Sequence, residues 1–379
     1  MDKLTLDKPI LLVAFHSFAG MGPYVISIIN SFECEDNIRF FLIEKDDRYY
    51  SKNIKEELRP KATIIQIKSS SKLNTLISVI TRFKCKYARL IEQICNDENI
   101  SLIHDLTGCI DYQFIKKISH KYNWLYTVHD LYPHESKKSF FKEFRQRKIY
   151  KSMFKAISYA DRLLTNSVTQ YDNLKKYYPA KPAYYIPFPS LITKTIQQGS
   201  CLTPELIGIT KYILFFGRIE EYKGLSILLK AFNNVDTDIK LVIAGNGELP
   251  YPIDSSRVIF INRYIDDGEI KSLYKNSLFV IYPYLSATQS GVLAVASYFE
   301  KPIIASDIPF FIEILGVDYI GLFKNRDIKD LTDKINFFIQ MPNESMDILR
   351  SQMADLYKKH YEIKNQRIQL LSIYKNSTQ

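Results

Sequence analysis

Apolar residues in this chain come in short solid runs separated by stretches of helical spacing. Residues 9–15, PILLVAF, carry no polar interruption and predict a strand buried on both faces. From Pro23 to Phe32 the apolar positions then recur at helical period. Further strand signals fall at 38–43, 62–67, 100–104, 123–128 and 162–166, most separated by helical stretches such as 73–96 and 112–121. That alternation predicts βαβ units and a parallel sheet. A polar, proline-bearing stretch from Pro187 to Pro204 breaks the pattern, and the alternation then restarts. Strands are predicted at 212–216, 239–244, 257–262, 278–282, 302–305 and 319–323, and helices near 224–234, 267–275, 290–299, 327–339, 344–359 and 361–375. The expected class is α/β: two doubly wound Rossmann-like domains, 1–190 and 191–360, facing across a cleft. A final helix within 361–379 is expected to return to the first domain. Ligands of such folds sit outside the carboxyl ends of the strands.

The 379 residues suffice for two domains. No apolar run approaches the roughly 18–20 residues that span a bilayer, and the first run ends at His16, so neither a transmembrane helix nor a secretory signal is expected. Five cysteines without Cys-x-x-Cys spacing argue against a disulfide framework or structural zinc and fit a reducing cytoplasm. The net charge of +10 is one-sided: residues 1–190 hold 30 Lys and Arg against 20 Asp and Glu, and the remainder 21 against 21. The first half is therefore expected to meet an anionic partner, unless the excess is simply a soluble basic surface.

Two segments of the second half carry chemistry. In FFGRIEEYKG (215–224), Arg218 and Lys223 stand in the turn between a buried strand and the next helix. A diphosphate needs a guanidinium for bidentate contact and an ammonium as a point charge; the bland alternative is solvated loop charge. In IYPYLSATQSGVLAVASYFEKPIIAS (281–306), a strand ends at Tyr282-Pro283, a polar turn follows, and a helix opens near Ser290 or Gly291. Its uncapped amides attract anions, while Ser286, Thr288 and Ser290 could equally serve as N-caps.

These two segments resemble the donor domain of the family 4 (group 1) glycosyltransferases, retaining enzymes of the GT-B fold, and look closest to those building bacterial O-antigen or capsular polysaccharide. The specific motifs cover about residues 212–313. The resemblance implies that Arg218 and Lys223 hold the diphosphate of a UDP- or GDP-linked sugar and stabilise charge on the leaving nucleotide. It places Gly217, Ser286, Thr288, Gln289, Ser290, Gly291, Val292 and Glu313 around the donor, and it requires no metal or other cofactor. Two glutamates that many members carry eight apart fall here on Ala287 and Val295, so contact with the ribose is lost and the first carboxylate must be replaced by Ser286, Thr288 or Gln289. Phe310 and Phe311 also depart from a glycine-rich loop usual before the position of Glu313.

In the first half, LYTVHDLYPHE (125–135) ends a strand with His129, Asp130, His134 and Glu135. A metal site is one reading, but imidazoles five apart in a proline-broken turn lack the helical spacing of zinc motifs. The resemblance makes His129 a sugar-contacting residue and Asp130 a group orienting it or the acceptor; a histidine merely ending a strand is the alternative. Gly20 and Gly22 in FAGMGPY permit a tight turn and match by position the family's glycine loop. Residues 137–155 carry eight basic side chains against one acidic, with Phe140, Phe141 and Phe144 on one helical side and Tyr150, Met153 and Phe154 continuing an apolar face. Either a core helix with a solvated basic face or a peripheral contact with anionic membrane explains them. Polyprenyl-diphosphate-linked glycan acceptors, implied by the resemblance, favour the membrane. The rivals are a catalytically silent GT-B subunit that binds a glycan or partner enzyme, a nucleotide-sugar epimerase, and a nucleic-acid-binding protein, for which no motif accompanies the charge.

Overall fold

The computed structural model describes residues 6–17, 20–45, 48–67, 87–109, 112–131, 140–209, 211–249, 252–254 and 256–378. The chain divides into two compact units: the first runs to Pro189 and takes in Ile363–Gln379, and the second holds Ser190–Glu362. Among the described residues no helix is long and apolar enough to cross a membrane.

In the first unit the elements run β1 (Ile10–Ala14), α1 (Met21–Ile29), β2 (Ile38–Glu44), α2 (Tyr49–Asn53), β3 (Ala62–Gln66), α3 (Ala88–Asp97), β4 (Leu102–Asp105), α4 (Tyr112–Ile118), β5 (Asn123–Val128), α5 (Phe140–Tyr159), β6 (Arg162–Thr165), α6 (Val168–Tyr177) and β7 (Ala183–Tyr185). The sheet is parallel in the order β3-β2-β1-β4-β5-β6-β7. Every residue of β1 is buried, which the unbroken apolar run required of a central strand covered on both faces. The predicted helix over 73–96 lies partly outside the described residues, and its described part is α3.

The second unit runs α7 (Lys194–Gln198), β8 (Tyr212–Phe216), α8 (Leu225–Asn233), β9 (Lys240–Ala244), β10 (Val258–Ile261), α9 (Asp267–Lys275), β11 (Ser277–Tyr282), α10 (Gly291–Tyr298), β12 (Ile303–Ser306), α11 (Pro309–Leu315), β13 (Leu322–Phe323), α12 (Ile328–Gln340) and α13 (Asn343–Tyr361). Its parallel sheet has the order β10-β9-β8-β11-β12-β13. Both sheets reverse their winding once, between β1 and β4 in the first and between β8 and β11 in the second. Such switch points open a crevice at the carboxyl edge.

The last helix, α14 (Ile363–Thr378), belongs to the first unit. The Tyr374 hydroxyl meets His104 Nδ1 at 2.6 Å inside the core, and Tyr374 stacks on Phe32. Arg367 Nε and Nη2 donate to the two carboxylate oxygens of Asp36 at 2.8 and 2.7 Å.

Candidate functional site

At the switch point of the second unit the chain leaves β8 through Gly217 and Arg218, turns once at Glu221–Lys223, and enters α8 after Gly224. The turn lies directly against the end of β11. Gly224 adopts φ 70, and a Cβ there would stand 1.7 Å from the carbonyl oxygen of Pro283. The amide of Leu285 donates to the Tyr222 carbonyl at 2.7 Å. Gly217, at φ 143, faces Val292 in the first turn of α10. Backbone contacts thus hold the Arg218–Lys223 turn against the end of β11, and the Val292 side chain brings the start of α10 to Gly217.

The Arg218 guanidinium is held loosely enough to act on a ligand. Arg218 pairs with Glu220 at 3.1 Å, but the side chains are 57 % and 37 % exposed, so solvent screens the bridge and a diphosphate can compete for the guanidinium. The Lys223 ammonium lies over the Tyr284 ring, 3.8 Å from its centroid, and 4.9 Å from that of Tyr222.

Between β11 and α10 the loop turns several polar atoms inward. Ser286 Oγ and Gln289 Oε1 are shielded from solvent without a protein hydrogen bond, and the buried Tyr284 and Ser290 hydroxyls lie within reach of each other. Ser290 occupies the N-cap position in extended conformation, yet its hydroxyl caps nothing, so the N-cap role considered for it is not observed. The first-turn amides of Gly291 and Val292 keep the unsatisfied donors of any helix start. Buried polar atoms in such a cluster are met by ordered water or by a polar ligand. Thr288 sits half-buried in the same loop. Ala287 packs on the core and Val295 is 3 % exposed, so neither supplies a polar contact.

Beyond β12, where Phe310 and Phe311 depart from the glycine-rich loop of the resembled family, the chain forms α11, opened by Pro309 at its first position. Phe310 and Phe311 are buried, with Phe311 stacked on Tyr282, and they build core rather than ligand surface. Glu313 lies half-buried on α11.

Two further features escaped the sequence reading. Gly245-Asn246-Gly247, after β9, brace the Arg218 loop: Ile219 N donates to Asn246 O at 2.9 Å, and a Cβ on Gly245 would meet the Gly217 carbonyl at 1.9 Å. Two glycines just past a predicted strand were the available signal. Asn325, past β13, donates to the Leu285 carbonyl at 3.1 Å and leaves its own Oδ1 buried and unsatisfied.

The first unit gathers its candidates at its own switch point. His129 follows β5, and its Nε2 meets the Leu106 carbonyl at 2.7 Å. A carbonyl only accepts, so Nε2 carries the proton and Nδ1 keeps a lone pair, shielded and with no protein partner. Burial holds the imidazole below its ordinary pKa, hence neutral, against smaller raising effects of Leu106 and Asp130. Asp130 influences His129 through its charge. The ring is oriented by Leu106 and by Tyr24, packed edge-on at 4.8 Å. Gln170, buried on α6, grips the backbone around His129: its amide donates to the His129 carbonyl and its oxygen accepts from Leu131 N, both at 2.6 Å.

Gly20 has φ 84 and opens α1. Gly22 is buried inside α1 with the Tyr49 ring where a Cβ would stand, so its missing side chain serves packing. His134 and Glu135 lie outside the described residues, among which no cluster of three or more metal-ligating side chains occurs. Cys34, Cys95, Cys109 and Cys201 form no disulfide.

Part of 137–155 also lies outside the described residues, and the remainder belongs to α5. Its inward face is Ser152, Ala156 and Ile157, with Met153 packed beside them. Phe154 does not continue this apolar face as expected; it is exposed and shares the outer face with Arg147, Lys151 and Lys155.

Residues 206–355 match the family Glycosyl transferases group 1. No curated protein matches the sequence. Among solved structures the chain is similar to Anabaena HepE in complex with UDP and glucose, at 14% identity over 97% of this chain and 100% of that one, with a TM-score of 0.70. Sucrose-phosphate synthase from Thermosynechococcus elongatus is 16% identical over 97% and 98%, at TM-score 0.70. The lipopolysaccharide outer core galactosyltransferase WaaB in apo form is 17% identical over 97% and 99%, at TM-score 0.60. At such identities the likeness is one of fold. Residues 206–355 of the second unit are thus similar to the glycosyl transferases group 1 family, in a chain with the GT-B fold.

Proposed function

We propose that the chain is a retaining glycosyltransferase that moves a sugar from a UDP- or GDP-linked donor to a hydroxyl of a glycan acceptor carried on polyprenyl diphosphate. The supporting observation is the convergence of Arg218, Lys223 and the α10 start at the β8/β11 switch point, beside a loop of buried unsatisfied polar atoms. HepE, similar in fold, has been crystallised with UDP and with UDP-glucose. In this reading Arg218 takes two phosphate oxygens, Lys223 adds a point charge, and the α10 amides cover the rest. As the bond from the anomeric carbon to the diphosphate breaks, charge grows on the departing oxygen, and these groups stabilise it without a metal. The acceptor oxygen bonds to the same face of the sugar while its proton passes to the departing diphosphate oxygen, and no protein nucleophile takes part. His129 accepts a hydrogen bond from a sugar hydroxyl at Nδ1.

We place the product in surface polysaccharide of the O-antigen, capsule or lipopolysaccharide kind, by analogy with WaaB, a lipopolysaccharide outer core galactosyltransferase of similar fold. The basic, Phe154-bearing face of α5 would rest on the anionic inner surface of the cytoplasmic membrane. A transfer assay with UDP- and GDP-sugars and a polyprenyl-diphosphate glycan, followed by NMR of the product, tests the reading: a retained anomer is expected, and an inverted one contradicts it. The absence of side-chain carboxylates at Ala287 and Val295 favours, as a second reading, a catalytically silent subunit that binds a glycan or partner enzyme.

A further inference from the structure

We infer that Tyr284 is the positioning residue of the diphosphate site, its ring holding the Lys223 ammonium ready for the anion. The inference rests on the donor reading above and assigns a role to a side chain outside that reading. Lysine has a long flexible stem, and a diphosphate gains most from an ammonium that need not be ordered on binding. Ring faces order an ammonium by their quadrupole without bringing a negative charge of their own. Here Nζ is 3.8 Å from the centroid of Tyr284 and 4.9 Å from that of Tyr222, and the two rings meet edge-on.

The platform itself is rigid. Tyr284 is fully buried, its carbonyl accepts from Ser306 Oγ at 2.5 Å, and its ring packs on Phe311 and Tyr282 at 5.4 and 5.8 Å. The Tyr222 carbonyl accepts from the amide of Leu285, so the two tyrosines are coupled through the backbone as well. The Tyr284 hydroxyl lies about where a Cβ on Gly217 would touch it, at 4.0 Å, so the ring reaches from beneath Lys223 to the root of the Arg218 loop.

The test uses the full chain with Tyr284→Leu, which removes the ring, and Tyr284→Phe, which keeps it. Titration with UDP, GDP and ADP and their monophosphates is expected to show Tyr284→Leu about tenfold weaker for the preferred diphosphate, little changed for the monophosphate, and Tyr284→Phe within about twofold of wild type. In a Lys223→Met background Tyr284→Leu should add almost nothing. The Lys223 Hε resonances should lie upfield in wild type and Tyr284→Phe, from the ring current, and move to ordinary values in Tyr284→Leu. This readout needs no ligand, and wild type and Tyr284→Phe carry it if the leucine variant does not fold. Wild-type affinity in Tyr284→Leu, additivity with Lys223→Met, or an unshifted Lys223 resonance overturns the role. Failure of wild type to bind any diphosphate, with Lys223 still shifted, overturns the donor reading and this role with it, while leaving the aromatic contact standing.

Discussion

Gly224 and Pro283 touch backbone to backbone: the direction in which any other residue would carry its Cβ is filled, at 1.7 Å, by the Pro283 carbonyl oxygen. The contact presses the Lys223 turn against the end of β11. Since Gly224 also has φ 70, alanine meets both a left-handed backbone and a clash with main chain. Gly224→Ala is expected to cost about 2 kcal/mol or more, read in urea unfolding, and to weaken nucleotide binding as well. A variant of wild-type stability would contradict the contact.

A second prediction concerns α14. Tyr374→Phe strips the partner from His104 Nδ1 in a fully buried position, and an unsatisfied buried group of this kind costs about 1–3 kcal/mol. The loss should appear in the unfolding of the first unit, with diphosphate affinity unchanged. Arg367→Ala, which leaves the buried Asp36 carboxylate without its bidentate partner, should act in the same direction.

Stability should fall on mild acidification. Burial lowers His104 to about 3 and His16 to about 4, so the unfolded chain takes up protons below 6.5 that the folded chain refuses. Their contribution is present above pH 6.5 and is lost as the pH falls toward 4. Burial raises Asp105 to about 7, which acts oppositely: the folded chain keeps a proton that the unfolded chain gives up near 3.8. The imidazoles outnumber the carboxyl, and urea midpoints are therefore expected lower at pH 5 than at pH 6.5. A higher midpoint at pH 5 would mean that the carboxyl dominates.

His129 and Gln170 separate chemistry from placement. His129→Ala is expected to lower transfer about tenfold to hundredfold while nucleotide affinity in the second unit holds. Gln170→Leu leaves the His129 carbonyl and Leu131 amide without their partner and should lower both transfer and stability, the latter by about 1–3 kcal/mol. Equal transfer by His129→Ala and wild type would remove the histidine from the reaction.

The core strands were legible in the sequence because parallel strands covered on both faces need unbroken apolar runs, as in PILLVAF and YILFF. Short elements at the edge were not: β7 has three half-buried residues, and α11 holds seven behind a proline that reads as a loop. The cation pair at Arg218 and Lys223 was visible because charge beside a buried strand end is unusual. Tyr284 was passed over because one tyrosine among 27 says nothing until its ring is seen beneath an ammonium. Phe154 misled for a related reason: helical spacing gives a face but not which way it turns.

The central claim, a nucleoside-diphosphate site built on Arg218 and the α10 start, is tested most directly by thermal shift of wild type and Arg218→Ala with UDP, GDP, ADP and CMP. A ligand bound only by the folded state raises the melting temperature by mass action. The account predicts that one diphosphate stabilises wild type, that CMP does not, and that the shift is lost in Arg218→Ala. No shift with any diphosphate, or an equal shift in the variant, would contradict it.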